Sequence, residues 1–189
     1  MATILGVSGS LRRQSFNTAL LREAAALMPA GSALDVRTIH GIPLYNADDE
    51  TAHGLPAAVT TLKDAMVAAD GVILATPEYN NSLPGVFKNA IDWLSRPPAD
   101  IKRVFGGKQI AIIGASPGGF GTILSQSAWL PVLRTLGTDP FFGARLQVGP
   151  SAKVFDESGA LIDDAVRASA TKFIAAFAEF AAARRRPRS

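Results

Sequence analysis

Short apolar runs of β type alternate along this chain with longer segments of helical period, and no other feature limits the fold as tightly. Thr3–Val7, Ala33–Ile39, Gly71–Thr76 and Gln109–Ala115 read as strands, and a fifth is expected within Phe141–Val148. Ser15–Leu27, Leu55–Ala69, Pro84–Ser95, Ser125–Leu136 and Asp163–Ala183 read as the helices that follow them. The runs GVILAT and QIAIIGA are apolar on both sides of the pleat, as strands of a parallel sheet covered on both faces must be. The expectation is an α/β, three-layer, doubly wound domain around a five-stranded parallel sheet.

Five strands in that class commonly take the order 2-1-3-4-5, the flavodoxin-like arrangement. Phe16, Leu20, Ala24 and Leu27 share one face of the first helix, and Pro29-Ala30-Gly31 ends it. The segment from His40 to Gly54 reads as a long loop and Val154–Ala160 as a surface turn, while Pro131 predicts a kink in the fourth helix or a late start. The helix at 84–95 carries two apolar stripes. Phe87, Ile91 and Leu94 suit the sheet, whereas Val86, Ala90 and Trp93 either widen that core-facing arc or meet a second copy of the chain. A homo-oligomer, dimer or tetramer, through residues 84–95 is the expectation.

With 189 residues, 48% of them hydrophobic, the chain can bury a core unaided, and residues 1–183 are read as one domain. The absence of cysteine removes disulfides, iron–sulfur clusters, thiolate zinc sites and a cysteine nucleophile. His40 and His53 lack metal-ligand spacing and are expected to face solvent, so no metal is expected. Arg184, Arg185, Arg186 and Arg188 fall in the last six residues; without those four, the net charge of +3 becomes −1 for the remainder. Residues 184–189 read as a basic disordered tail, and without interleaved aromatics they do not point to nucleic acid. No apolar run reaches membrane-spanning length and the N-terminus leads directly into the first strand, so a cytoplasmic protein without a membrane partner is expected.

Ligands of such sheets bind beyond the carboxyl ends of the strands, where the strand order reverses. The loops there, Ser8–Ser15 (SGSLRRQS), Thr76–Leu83 (TPEYNNSL) and Ser116–Thr122 (SPGGFGT), are the richest in Gly, Pro, Ser and Asn. The first lacks the Gly-Lys-Ser/Thr ending of a triphosphate loop, and Gly6 and Gly9 do not make the dinucleotide spacing. It offers Ser8, Ser10, Ser15 and Asn17 as donors, Arg12 or Arg13 as charge, and a helix N-terminus, a set that suits one phosphate monoester. Ser15 equally fits a plain N-cap beside solvated arginines. Pro77-Glu78-Tyr79-Asn80 either presents backbone groups and one ring to a flat heteroaromatic or is a proline-led turn with an exposed tyrosine. Gly118, Gly119 and Gly121 either let the backbone approach a ligand or make a tight turn. Together the loops describe a mononucleotide with a planar ring, and flavin mononucleotide, FMN, is the one this fold commonly carries.

The stretches Gly9–Asn17 (GSLRRQSFN), Thr76–Asn80 (TPEYN), Leu83–Arg96 (LPGVFKNAIDWLSR) and the glycine loop Ser116–Gly121 resemble, in order and over almost the whole chain, the NADPH-dependent FMN reductase family, which includes quinone, chromate and azo-dye reductases. The resemblance implies a flavodoxin-like fold, bound FMN, NADPH or NADH as co-substrate, a small-molecule electron acceptor, and assembly as dimers or tetramers. Carried over by position, Ser10, Arg12, Ser15, Phe16 and Asn17 would hold the FMN phosphate. Pro77, Glu78, Tyr79 and Asn80 would contact the isoalloxazine, and Ser116, Gly118 and Gly119 would line its other edge.

Because such a cofactor carries the redox chemistry, no catalytic acid, base or nucleophile is assigned; Asp92 is read as a packing or interface residue and Glu78 as acting through its main chain. The alternative is a flavodoxin-like electron carrier or flavin-binding module without its own NAD(P)H turnover. Such a carrier needs a docking face of one sign, and the body of this chain is near neutral. A phosphoacceptor domain needs an aspartate after the third strand, where Ala75-Thr76-Pro77 stands.

Overall fold

In the computed structural model, which describes residues 1–184, the sheet is built on Thr3–Ser8 (β1), buried at every position after Thr3. Its neighbours are Ala33–Thr38 (β2) and Gly71–Ala75 (β3), and Gln109–Ala115 (β4) extends the sheet beyond β3. Every residue of β3 is buried, as its unbroken apolar run requires. Side chains alternate between two cores. Ile4, Ile73, Ala111 and Ile113 enter one with Phe16–Ala26 (α1), while Leu5, Val7, Val72 and Leu74 enter the other. That second core also holds Ala57–Ala68 (α3), Gly85–Leu94 (α4) and Ile123–Thr135 (α6).

The expected fifth strand is broken. Asp139–Pro140 (β5) completes the order β2-β1-β3-β4-β5, all parallel, and Gln147–Val148 (β6) returns to pair with Gly114 and Ala115 of β4. Between them the chain leaves the sheet because Phe141 is drawn onto Phe173, Phe177 and Phe180, with centroids 5.2–5.6 Å away. Those three rings lie on Asp164–Ala183 (α8).

The segment 40–54 is not a bare loop. Ala47–His53 (α2) forms there because the Asn46 side chain accepts from Asp48 N–H at 3.0 Å, and Asp48, Asp49 and Glu50 face the positive helix start. This segment covers the second stripe of α4. The Trp93 indole donates to Pro43 O at 2.9 Å and meets the Tyr45 ring edge-on at 4.9 Å, while Asn89 bonds both Pro43 O and Tyr45 N–H. Ala90 and Trp93 are therefore buried within the chain, and the stripe that suggested an oligomer through 84–95 already has its partner. Asp92 pairs with Lys88 on the outer side of α4 at 2.6 Å.

Ile101–Val104 (α5), entered through a 3₁₀ turn at Pro98–Asp100, and Ser151–Val154 (α7) are short helices that apolar periodicity does not reveal. Pro131 lies inside α6 without delaying its start, which falls at Ile123, earlier than expected. The turn near 154–160 is half core: Val154 and Phe155 are buried, and only the part closed by Asp156 is exposed. Arg184 is not a loose tail residue, since its guanidinium lies 4.2 Å from the Phe180 ring and 3.4 Å from Asp139. The rest of the expected tail, 185–189, lies outside the described residues.

Candidate functional site

Three loops meet beyond the carboxyl ends of β1, β3 and β4. Gly9 N–H donates to Ala75 O and Thr76 N–H to Ile113 O, both at 2.9 Å, so ladder bonds continue into the loops and fix their spacing. They enclose a depression of about 70 Å³. A water takes roughly 30 Å³ of liquid, so a phosphate-sized group fits there while the remainder of a larger ligand lies over the rim. Of the twelve residues expected from the sequence, nine line it: Ser10, Arg12, Ser15, Phe16, Asn17, Pro77, Glu78, Tyr79 and Ser116.

The first wall is the start of α1. Ser15 is extended (φ −79°, ψ 122°) and its hydroxyl accepts from Thr18 N–H at 3.3 Å, so it is an N-cap. Phe16 and Asn17, the first helical residues, line the depression, and their N–H groups have no intrahelical partner at the positive end of α1. Arg12 lies over the Phe16 ring, 5.8 Å from its centroid, and its backbone N–H donates to Ser10 Oγ at 3.3 Å.

Two expected donors are engaged elsewhere. The Ser8 hydroxyl bonds that of Thr18 at 2.8 Å, and the Asn17 amide brackets Ala115, donating to its carbonyl and accepting from its N–H, both at 2.9 Å. Asn17 thus ties α1 to β4 through its side chain, leaving its backbone for a ligand. His40, though exposed, is not simply solvated: its Nε2 lies 3.1 Å from Leu11 O and its Nδ1 3.0 Å from Thr38 Oγ1, joining the first loop to β2.

Gly9 shows why the loop runs where it does. A Cβ there would lie 2.1 Å from Cδ1 of Phe87, so the backbone crosses directly over a core ring.

The second wall is a tight hairpin. Tyr79 and Ser82 exchange backbone bonds of 3.1 and 3.0 Å around Asn80 (φ 49°) and Asn81 (φ 61°), left-handed conformations that asparagine tolerates. That geometry leaves Asn80 exposed at the rim and outside the depression itself. Beneath the turn, the Thr76 hydroxyl receives the Trp129 indole N–H at 2.9 Å, lies 2.8 Å from Ser125 Oγ and donates to Pro77 O at 2.9 Å. All three polar side chains are fully buried, and the network anchors the turn to α6. Glu78 does more than its main chain suggested: its carboxylate accepts from Leu124 and Ser125 N–H at 2.9 and 3.0 Å.

The third wall begins at Ser116, whose N–H donates to Val148 O at 3.0 Å and whose hydroxyl donates to Gly121 O. Gly118 and Gly119 stand exposed at the rim rather than in the depression; a Cβ on Gly119 would meet open space, and one on Gly118 only Ser116 Oγ at 3.8 Å. Behind them, a Cβ on Gly149 would fall 2.1 Å from Gly118 O, so close packing against 149 sets the loop's height.

The shifted ionisable groups lie away from these walls. Arg96 bonds Glu50 at 2.8 Å and holds its carboxyl below the usual value, with the Tyr45 hydroxyl adding to the effect; burial, then that same bond, raises Tyr45. Among the described residues, no group of three or more His, Cys, Asp or Glu side chains is placed to hold a metal, and no helix is long and apolar enough to cross a membrane. A larger groove, about 810 Å³, opens at the opposite edge beside Asp35, Arg37 and Asp70. There the strands begin and the α1 N-terminus points away, so the smaller depression is the candidate site.

Residues 2–147 match the family described as NADPH-dependent FMN reductase. The chain belongs to that family. It is 45% identical over 164 residues to an NAD(P)H-dependent FMN reductase of Pseudomonas aeruginosa, covering 87% of this chain and 86% of that one. It is 36% identical over 183 residues to a quinone reductase of Escherichia coli, covering 94% of each. The solved flavoenzyme NAD(P)H:(acceptor) oxidoreductase FerB of Paracoccus denitrificans superposes with a TM-score of 0.86 at 32% identity, over 98% of this chain and all of that one. As a member of the family, the chain is an FMN-dependent NAD(P)H oxidoreductase with a flavodoxin-like fold.

Proposed function

We propose that this FMN reductase uses NAD(P)H to reduce quinones, and that the α1 start is the seat of the FMN phosphate. The observation that carries the assignment is the donor set lining a phosphate-sized depression: the start of α1, whose first two N–H groups have no intrahelical partner, and Arg12, whose guanidinium lies over the Phe16 ring and donates to Gln14 O at 3.2 Å. The donors match a dianion, and the open rim at Gly118 and Gly119 leaves room for a flat ring, so the residues present fit FMN.

When bound, FMN supplies the two-electron chemistry between NAD(P)H and acceptor. The chain's part is placement. Ser10, Arg12 and Ser15 with the Phe16 and Asn17 N–H groups hold the phosphate; Pro77, Glu78 and Tyr79 border the ring on one side and Ser116, Gly118 and Gly119 on the other. No side chain is assigned a proton-transfer role. The Escherichia coli relative named a quinone reductase supports quinones as acceptors. Chromate and azo compounds would be secondary acceptors at the same open face.

Residues 1–183 act in this reading as one FMN-binding domain in the cytoplasm, where reduced nicotinamide is supplied. The exposed Tyr79, Phe120, Ile123 and Leu124 around the mouth support a dimer or tetramer in which a second copy covers that face. Steady-state oxidation of NADPH and NADH by the FMN-loaded protein, with and without a benzoquinone, tests the function. Quinone-dependent turnover is expected, and flavin binding without turnover would favour an electron carrier.

A further inference from the structure

Helix α6 starts without a cap from its own sequence. The Thr122 side chain makes no capping bond; its hydroxyl accepts instead from Gln126 Nε2 at 3.2 Å. The N–H groups of Leu124 and Ser125 are served from outside, by one oxygen of Glu78, 46 and 47 residues earlier in the chain. Glu78 also lines the candidate site, on the turn that forms its second wall, and α6 is entered directly from the glycine loop that forms the third. One carboxylate therefore spans the two walls that border the ring.

The charge matters as well as the tie. A helix N-terminus carries about half a positive charge, which stabilises negative charge nearby. FMN gains electron density on reduction, so an uncovered α6 terminus at this wall would favour the reduced form and hold electrons that the acceptor must receive. Glu78 covers that terminus with a full negative charge. The same cover leaves α1 as the helix start available to an anion in this site, in keeping with a single phosphate.

We propose that Glu78 is a positioning residue: its carboxylate fixes the spacing of the second and third walls and, by cancelling the α6 terminus, lowers the tendency of bound FMN to retain electrons. This rests on the FMN reading above. The test compares wild type with Glu78→Gln and Glu78→Ala. Glu78→Gln keeps an acceptor oxygen and removes the charge, so it should fold as wild type by circular dichroism. Its bound FMN should show a reduced-to-oxidised ratio at least about tenfold higher at a fixed poise, where each tenfold is 29.6 mV for a two-electron couple. A purely structural role would weaken both redox forms alike, so an unchanged midpoint potential in Glu78→Gln overturns the electrostatic half.

Amide exchange in the FMN-free chain tests the tie independently. Leu124 and Ser125 should be protected in wild type and lose at least about tenfold in protection in Glu78→Ala; equal exchange rates overturn it. Were wild type to bind no FMN, the functional reading would fail, and the exchange comparison would still decide whether Glu78 joins the walls.

Discussion

Asn17 and Ala115, 98 residues apart in sequence, exchange two hydrogen bonds of 2.9 Å with the Asn17 amide supplying both partners. The pair closes α1 against the end of β4 in a buried setting, so removing it leaves a main-chain N–H and C=O without partners. Each such group costs about 1–3 kcal/mol. Asn17→Ala should therefore lower unfolding stability by roughly 2–4 kcal/mol, read from urea denaturation, with the larger consequence in the fold and the smaller in phosphate affinity.

Gly9 and Phe87 define a second strict contact. Gly9→Ala sets a methyl group 2.1 Å from a ring carbon, and overpacking of this kind typically costs about 1–3 kcal/mol. The expected result is a lower thermal midpoint that Phe87→Leu, in the double variant, partly restores. The coupling energy from the cycle should be clearly non-zero, and simple additivity would contradict the contact.

Acid sensitivity should trace to the segment that covers α4. The Arg96 bond, assisted by that of Tyr45, depresses Glu50 below its ordinary value of 4.5. A depressed carboxylate contributes stability that is present above the unfolded pKa and lost as pH falls through the folded one. Stability should thus be level above about pH 5 and fall below about pH 4.5. Asp100, lowered by Arg103 and Lys63, adds to the same limb. Glu50→Gln should be less stable near neutrality and flatter in acid, measured by urea midpoints from pH 3 to 7.

The phosphate seat makes a sharper claim on two residues. Ser15→Ala combined with Arg12→Ala should leave the circular dichroism spectrum intact while weakening FMN binding by tenfold or more, followed by quenching of flavin fluorescence. Unchanged affinity would make the first loop structural.

The parallel sheet was legible because burial on both faces writes itself as unbroken apolar runs such as GVILAT, and its order is the one five strands of this class commonly take. The helix start after the first loop was legible because Ser15 is a residue type that caps helices, as it does here. What the sequence concealed depends on contacts between distant residues. Nothing local to Trp93 says that Pro43 and Tyr45 cover it, so its stripe read as an interface. The start of α2 is written locally, in the Asn46 cap and the acidic Asp48, Asp49 and Glu50 of its first turn, but its seven residues are too short to carry an apolar period. Asn17 was expected to offer its side chain to a phosphate, and its amide instead bonds Ala115, 98 residues away, a partner no local pattern reveals. Glu78 fails the same way: only the fold brings α6 to it.

Flavin stoichiometry tests the central claim most directly. The purified chain, incubated with FMN and freed of unbound cofactor, should be yellow, carry close to one FMN per chain by absorbance, and be bleached by NADPH or NADH. Protein that stays colourless and retains no flavin at micromolar FMN would contradict the account.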